Sequence, residues 1–357
     1  MKHLGRTPPF LDRTGAPLAG SIAEIGYRKL GGLDQWVMIR GASVDNPPLI
    51  MLHGGPGLSE TALFRHFNAA LEQAFTVVYW DQRGAGKSFA RTIPPETMTV
   101  ERFLGDLDEL VNAIRVRLGH PTVTIFGHSW GAALGVLYAA RFPEKVAAYV
   151  GSGQIGDWAA GEAASYAFAL REAQRVGDQK SLQKLRRIGP PPYPAKAVFT
   201  ERTCLARLEG QMTWRTLWSM ARIAVEGPEA SLVDVPNMLR GFRWSLDLMW
   251  PEVSKLNLIQ LAPALRMPVF LFLGRRDHWV PPETSVAYFD ALTAPSKRLL
   301  WFERSGHEPF ADEAEQFNRA MIELVNPAVV ERRSAPAIGA RRYDVGAART
   351  EVAGSQA

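Results

Sequence analysis

The chain has 357 residues, of which 46% are hydrophobic, so it can bury a large core as one α/β domain with an insertion or as two ordinary domains. Its net charge is +5, and its lysines and arginines are dispersed rather than arranged in a stripe, which argues against a nucleic-acid partner. The single cysteine, Cys204, excludes an intramolecular disulfide framework.

The N-terminal segment, residues 1–20, lacks the continuous apolar run of a signal peptide. No stretch of the chain approaches about 18 uninterrupted apolar residues, the length that a helix needs to span a bilayer. A single cysteine also suits a reducing compartment. We therefore expect a cytoplasmic protein without a membrane partner.

The predicted sheet begins with a hairpin and continues as a parallel array. Two strand-like runs within residues 22–40 are joined at Gly31-Gly32, a pair that suits a tight turn. Helical patterns separate most of the later strands, which is typical of βαβ units with both sheet faces covered. The sequence thus predicts an α/β fold with a mostly parallel eight-stranded sheet flanked by helices. The later strand-like runs are 47–55, 75–84, 122–129, 146–154, 268–277 and 297–307, and the helical patterns are 98–118, 130–142, 283–293 and 310–325.

A long stretch without strand patterns, from about residue 157 to 251, interrupts this alternation. Because it far exceeds an ordinary connection, we interpret it as a helical cap inserted after the sixth strand. The predicted division is a core of residues 21–155 and 251–327, a cap of residues 156–250, and a flexible tail of residues 328–357, which is rich in Arg, Ala and Gly. Cap aromatics are predicted to line a substrate pocket, or alternatively to pack the cap's own core; the candidates are Trp158, Trp214, Trp218 and Trp244.

The segment "VTIFGHSWGAALGVLYAARF", residues 123–142, changes from a β-branched run to a helical pattern at Gly-His-Ser-Trp-Gly. Ser129 therefore occupies a sharp strand-to-helix turn. Such a turn strains its central residue and requires small neighbours, which Gly127 and Gly131 supply. The pattern matches the G-x-S-x-G nucleophile elbow, so Ser129 is the candidate nucleophile.

A serine hydroxyl needs a base and a group that orients the base. Asp277 ends the strand-like run "FLGRRD", and His307 ends the next one in "WFERSGH", so both are expected at the sheet edge that carries Ser129. Asp157, which follows the strand after the elbow, is the rival acid, although its position at the cap entrance favours a linker role. The predicted triad is Ser129, Asp277 and His307.

An oxyanion hole completes this chemistry. "HGGPG", residues 53–57, follows a predicted strand, and its glycines allow the backbone N–H of Gly55 to face developing negative charge. The N–H of Trp130 is the second expected donor. We expect His53 to brace this loop, His128 to fill the interior of the elbow and His278 to be only a neighbour of the acid. Asp81 and Arg83 in "WDQRGAGKS" are expected to fix adjacent loops.

Five motifs, "HGGPG", "DQRGAGKS", "GHSWGAAL", "GRRD" and "GHEPF", occur in the order and spacing of the α/β-hydrolase superfamily. Over roughly residues 20–325 the chain resembles its prolyl iminopeptidase-like group. This resemblance implies a serine hydrolase without a metal or organic cofactor, acting on a short peptide or small molecule through Ser129, Asp277 and His307, with Gly55 and Trp130 as oxyanion donors. A serine at the elbow argues against an epoxide hydrolase or haloalkane dehalogenase, which require a carboxylate there.

The substrate class stays open at this stage. Members of the group commonly hold a peptide's amino terminus with cap carboxylates, one of them in a W-x-x-W-E pattern. In "TWRTLWSMAR" Trp214 and Trp218 are four residues apart, and Ser219 stands where the glutamate is expected. An ester, lactone or hydrophobic amide therefore fits the aromatic cap as well as an N-terminal proline does. A third possibility is a non-catalytic binding protein that keeps the hydrolase fold.

Overall fold

The computed structural model describes residues 5–209, 222–223, 227–229 and 234–334, with side chains described as far as Glu331. Its centre is one eight-stranded sheet of order β1-β2-β4-β3-β5-β6-β7-β8. The strands are β1 Ile22–Leu30, β2 Leu33–Gly41, β3 Pro48–Leu52, β4 Thr76–Trp80, β5 Val123–His128, β6 Val146–Ser152, β7 Val269–Gly274 and β8 Lys297–Phe302. The predicted fold class is confirmed.

Helices cover both faces of the sheet. In the described part of the chain none of them is long and apolar enough to cross a membrane. The helices are α1 Thr61–Asn68, α2 Val100–Leu118, α3 Trp130–Arg141, α4 Trp158–Arg175, α5 Gln179–Ile188, α6 Ala195–Leu208, α7 Asp234–Val253, α8 Leu258–Leu261, α9 Pro282–Ala291, α10 Pro309–Asp312, α11 Ala314–Ala320 and α12 Asn326–Ser334. Short 3-10 turns occupy Ala69–Gln73, Gly86–Ser88 and Pro95–Thr97, and a π-helical turn, Met321–Val325, joins α11 to α12.

The sheet is antiparallel only at one edge. β1 and β2 form the expected hairpin around Gly31 and Gly32, whose φ angles are 53° and 77°, and β2 pairs antiparallel with β4. All later neighbours pair in parallel. The carboxyl ends of these parallel strands therefore share one edge of the sheet, where functional groups of such folds gather.

Alternating side chains of the strands supply two separate cores. In β3, Ile50 and Leu52 belong to the core beneath α2, α3 and the cap, whereas Leu49 and Met51 belong to the core beneath α1 and α11. This division follows from the two-residue period of a strand. Both faces of β3 are buried, which is why its sequence is continuously apolar.

The insertion between β6 and β7 contains α4 to α7, and its two ends meet. Asp157 and Asn257 form an isolated bridge, and the Asn257 side-chain amide donates to the Asp157 carboxylate at 2.8 Å. The N–H of Leu258 donates to the carbonyl of Gly156 at 2.7 Å. The cap thus leaves and rejoins the core at one place. Its last helix continues through Pro251 to Val253, slightly beyond the predicted boundary at residue 250.

The predicted start of the flexible tail at residue 328 is wrong. Residues 328–334 form the end of α12, and Val329 is buried. The reason is that Met321, Val325 and Val329 recur at four-residue spacing and extend one apolar stripe across the π-helical turn. Residues 335–357 lie outside the described residues.

Candidate active site

Ser129 lies between β5 and α3 with φ 53° and ψ −117°, and it is the one described residue other than glycine with a positive φ. Backbone in such a sparsely populated region costs on the order of 1–3 kcal/mol, and surrounding structure must enforce it. The Ser129 N–H donates to the Ser152 carbonyl at 2.9 Å, and the Ser129 carbonyl accepts from Ala132 and Ala133. These bonds to β6 and α3 hold the strained turn in place.

The two glycines of the elbow are required by close backbone approach. A Cβ at Gly127 would lie 2.4 Å from the carbonyl oxygen of Gly131. A Cβ at Gly131 would lie 2.1 Å from the carbonyl oxygen of Leu52, at the end of β3. Neither contact is possible for a real side chain, so the G-x-S-x-G spacing reflects packing of α3 against β3 and β5.

Asp277 and His307 meet at the same sheet edge, from the loops that follow β7 and β8. The Nδ1 atom of His307 lies 2.8 Å from Oδ2 of Asp277. The other oxygen of Asp277 accepts the backbone N–H groups of Trp279 and Val280, both at 2.9 Å. The carboxylate is therefore fixed by its own loop and directs one oxygen at the imidazole. Both side chains are buried, and the Trp279 ring stacks against His307.

One cavity between sheet edge and cap is lined by Gly55, Ser129 and His307, with Asp277 bonded to the imidazole of His307. The N–H of neighbouring Gly54 donates to Glu60 at 3.0 Å, so Gly54 is already engaged. Trp130 is the first residue of α3, so its N–H has no partner within the helix. Its buried indole instead donates to Gln82 at 3.0 Å. Only the backbone of Trp130 is suited to contact an oxyanion.

Loops beside the cavity are tied together by His53, Gln82 and Arg83. Nε2 of His53 accepts the N–H of Gln82 at 3.1 Å, and the Gln82 side-chain amide donates to the His53 carbonyl at 3.0 Å. Arg83 does not pair with Asp81 but makes a two-pronged, fully buried ion pair with Asp106 of α2 at 2.8 and 3.0 Å. Asp81 accepts from Thr61 and from the N–H of Lys87. The His53–Gln82 bonds fix the loop after β4 against the "HGGPG" loop, and Arg83 fixes it against α2.

His128 does more than fill the elbow. Its Nδ1 lies 2.8 Å from Oε1 of Glu60, and its Nε2 lies 2.9 Å from the carbonyl oxygen of His307. Burial lowers the pKa of His128, but the Glu60 carboxylate outweighs it and raises that pKa to about 9. Although burial acts in the opposite direction, the His128 cation holds the pKa of Glu60 below its ordinary value. Sequence reasoning missed this pair; the available signal was a carboxylate three residues after the "HGGPG" loop.

The cavity walls are mostly apolar and come largely from the cap. Trp158 and Trp250 belong to them, and their rings meet edge to face at 5.9 Å. Trp214 and Trp218 lie outside the described residues. We call the apolar lining on the cap side the apolar wall; it consists of Ile155, Trp158, Val198, Phe242, Leu246 and Trp250, and Leu58, Trp279 and Val280 line the cavity from the core.

The prediction for Trp244 differs from the structure. Trp244 packs edge to face on Phe89 at 5.8 Å and is not part of the cavity wall. Phe242, Leu246 and Trp250 of α7 recur every four residues and share the face toward the cavity. Trp244 is two residues from Phe242, about 200° around the helix, and so points elsewhere.

A buried polar cluster of the cap also reaches the cavity. Arg202 of α6 pairs with Glu162 of α4, and both line the cavity; Glu162 also accepts from the Tyr193 hydroxyl at 3.0 Å. Ser165 Oγ lies 2.7 Å from the His278 carbonyl and 2.9 Å from Glu201. Arg202 also donates to Ser165 Oγ at 3.0 Å and pairs with Glu201 at 2.6 Å. Burial raises the pKa of Glu201, although the Arg202 charge acts in the opposite direction, so one guanidinium serves two buried carboxyl groups.

Asp157 and His278 contact residues other than Ser129, Asp277 and His307, the predicted triad. Asp157 caps α4 by accepting the N–H of Ala160 at 3.1 Å and binds Asn257 across the cap entrance. The His278 ring stacks on Phe168 with centroids 3.5 Å apart. Across the described ranges, no group of three or more His, Cys, Asp or Glu side chains is arranged to hold a metal ion.

Known proteins share this architecture. A family model described as the alpha/beta hydrolase fold matches residues 47–188. The probable aminopeptidase YbaC of Bacillus subtilis (strain 168) is 32% identical over 84% of this chain and 96% of its own length. The proline iminopeptidase of Clostridioides difficile (strain 630) is 24% identical over 84% of this chain and 97% of its own.

A solved structure extends the likeness to the fold. The proline iminopeptidase-related protein of Thermus thermophilus superposes with a TM-score of 0.62 at 24% identity, covering 87% of this chain and 99% of that one. The chain therefore belongs to the α/β-hydrolase family, in its prolyl iminopeptidase-like group.

Proposed function

We propose that this hydrolase cleaves an ester or amide bond through an acyl-enzyme formed on Ser129. The observation that carries the proposal is the 2.8 Å contact between His307 and Asp277 beside the cavity that Ser129 also lines. An imidazole held by a carboxylate next to a serine on a strained turn is the arrangement that activates a hydroxyl. The neighbouring N–H groups of Gly55 and Trp130 would receive the oxyanion.

The proposed steps follow from these positions. Nδ1 of His307 donates to Asp277, which leaves the lone pair on Nε2 to take the Ser129 proton while Oγ attacks the carbonyl carbon. The tetrahedral intermediate then expels the leaving amine or alcohol, which receives that proton from Nε2. Water adds to the acyl-enzyme by the same route and releases the acid and the free serine. Asp277 orients the imidazole and stabilises its charged form throughout.

Labelling with a fluorophosphonate probe tests this proposal. The probe should modify wild-type protein stoichiometrically and should leave Ser129→Ala unmodified, because only an activated hydroxyl attacks phosphorus readily. Circular dichroism of both proteins controls for folding. Well-folded wild-type protein that stays unlabelled would remove the catalytic proposal and favour the non-catalytic binding protein.

We further propose that the acyl part of the substrate carries a free amine, as in an aminopeptidase. Four glutamates and aspartates in the described part of the chain line the cavity, and three of them are engaged: Glu60 with His128, Asp157 with Asn257 and Glu162 with Arg202. No described residue donates a hydrogen bond to the carboxyl group of the fourth, Glu308, which follows His307 directly. The names of the relatives, aminopeptidase and proline iminopeptidase, support the same class.

Burial raises the pKa of Glu308, and an ammonium partner would compensate that cost. A Glu308→Gln variant tests this role with two matched substrates, prolyl-2-naphthylamide and its N-acetylated form. Turnover of the free amine should fall by about 10- to 100-fold in kcat/KM, the strength of a charge-assisted hydrogen bond, whereas an uncharged substrate should lose little. Equal losses on both substrates would contradict an amine-binding role for Glu308.

The apolar wall of Ile155, Trp158, Val198, Phe242, Leu246 and Trp250 favours a second candidate, a lactonase or carboxylesterase for hydrophobic small molecules. A comparison of prolyl-2-naphthylamide with short-chain aryl esters under identical conditions separates the two. Turnover of esters alone would favour the second candidate. Turnover of the aminoacyl amide would support the aminopeptidase despite Ser219.

A further inference from the structure

Glu60 lies between the oxyanion loop and the nucleophile elbow and binds both. Its Oε2 accepts the N–H of Gly54 at 3.0 Å, and its Oε1 lies 2.8 Å from Nδ1 of His128. Gly54 precedes the proposed oxyanion donor Gly55, and His128 precedes Ser129. One buried side chain, 6% exposed, therefore joins two of the three segments that form the site.

His128 extends the connection to the third segment. Its Nε2 lies 2.9 Å from the carbonyl oxygen of His307, and its ring centroid is 4.6 Å from that of His307. A carbonyl oxygen and an ionised carboxylate can only accept, so both ring nitrogens of His128 donate and the ring is an imidazolium. The other ionisable groups whose charge acts on this pair are His53 and Glu308.

We propose that Glu60 and His128 are positioning residues, which hold the oxyanion loop, the nucleophile elbow and the base loop in one fixed arrangement. The inference rests on the proposed serine hydrolase function. The hydrogen bonds of the pair reach Gly54, which precedes Gly55, and His307, and His128 itself precedes Ser129. Neither Glu60 nor His128 takes part in the proposed chemical steps. Loss of the pair should therefore slow the chemical step more than it weakens substrate binding.

Three substitutions of Glu60 separate geometry from charge. Glu60→Ala removes all the bonds of this side chain, and Glu60→Asp keeps the charge but is one methylene too short to contact Gly54 and His128 together. Glu60→Gln keeps the length: its carbonyl oxygen can accept from Gly54, and its amide can donate to a neutral His128, whose Nε2–H still reaches the His307 carbonyl. All three contacts then survive without charge.

The measurement is the rate of fluorophosphonate labelling of Ser129 per folded molecule, together with kcat and KM on a substrate that the wild type turns over. Glu60→Ala and Glu60→Asp should slow labelling and kcat by about 10- to 100-fold with KM little changed, as expected for a misplacement of about 1 Å. Glu60→Gln should recover most of the lost rate.

Glu72→Ala is the matched control, because it also removes a buried carboxylate. Glu72 binds Arg40 at 2.9 Å and Arg65 at 3.2 Å, and it does not line the cavity. The substitution should lower stability and leave the labelling rate of the folded protein unchanged. Wild-type labelling rates in Glu60→Asp or Glu60→Ala, or a Glu60→Gln rate as low as theirs, would overturn the positioning role. A wild type that does not label at all would instead overturn the proposed function.

Discussion

The two carboxylate oxygens of Asp277 have different hydrogen-bond partners. Oδ1 accepts two backbone N–H groups of its own loop, and Oδ2 faces Nδ1 of His307. The first set of bonds fixes the carboxylate, so the second fixes the imidazole in the tautomer whose Nε2 can accept a proton. The orientation of the His307 imidazole, the proposed base, thus depends on backbone atoms of residues 279 and 280.

Replacing Asp277 by Asn should disturb this tautomer while preserving shape. An amide that directs its NH2 group at Nδ1 favours the imidazole with its proton on Nε2, which cannot act as a base, so kcat should fall by up to about 10,000-fold. Steady-state kinetics measure the effect, and Asp290→Asn on the exposed side of α9 serves as the control. An unchanged kcat in Asp277→Asn would remove Asp277 from the proposed role.

The Glu60–His128 pair predicts a pH dependence of stability. The pKa of folded His128 is about 9, above its ordinary value of 6.5, so its contribution is complete below pH 6.5 and is lost as the pH rises through 9. The pKa of Glu60 is lowered from 4.5, so its contribution is lost only on the acid side. The free energy of unfolding of the wild type relative to Glu60→Gln should therefore fall between pH 6.5 and about pH 9. Urea denaturation at several pH values checks this, and a constant difference would contradict it.

At the scale of elements, the elbow shows how much a local pattern determines. G-x-S-x-G after an apolar run specified a strand, a turn and a helix, and the structure has β5, Ser129 and α3 at those places. The periodicity of α7 was less informative, because it does not say which face meets the cavity, and Trp244 was assigned to the wrong face. The tail was misjudged for a related reason: Val329 continues a stripe that an arginine-rich composition obscured.

Adding one methyl group at the elbow should disrupt this packing. Gly131→Ala places a Cβ 2.1 Å from the Leu52 carbonyl oxygen, so we expect a loss of about 3 kcal/mol or more, or failure to fold. Gly26→Ala in β1 is the control, because its Cβ meets nothing within 4 Å. Thermal unfolding followed by circular dichroism compares the two variants. Equal melting temperatures would show that β3 and α3 separate more easily than the distances indicate.

For the whole molecule, the sequence predicted the eight strands and most helices of the core in chain order, though not α1, and from the strand ends it predicted the convergence of Ser129, Asp277 and His307 on one edge. Strand-end residues are predictable because parallel strands bring their carboxyl ends together. Pairs between distant elements were not predictable: Glu60 meets His128 across 68 residues, and Arg83 meets Asp106 across 23. Which side chains meet depends on helix rotation and loop paths, which periodicity does not specify.

Cap and core should unfold together. The larger core is continuous between them, since cap residues such as Tyr166 and Leu246 share one buried cluster with Ile125 and Leu271 of the sheet. Far-UV circular dichroism, tryptophan fluorescence and fluorophosphonate labelling should therefore give one urea midpoint. A separate early loss of labelling, with the circular dichroism still native, would show that the cap opens independently.

The bridge between Asp157 and Asn257 brings the two ends of a 100-residue excursion side by side. A short turn could join the chain there without distorting the sheet edge that carries Ser129 and His307. A different insertion could therefore replace the cap between residues 157 and 257, which would change the walls of the cavity while Ser129, Asp277 and His307 keep their places in the core.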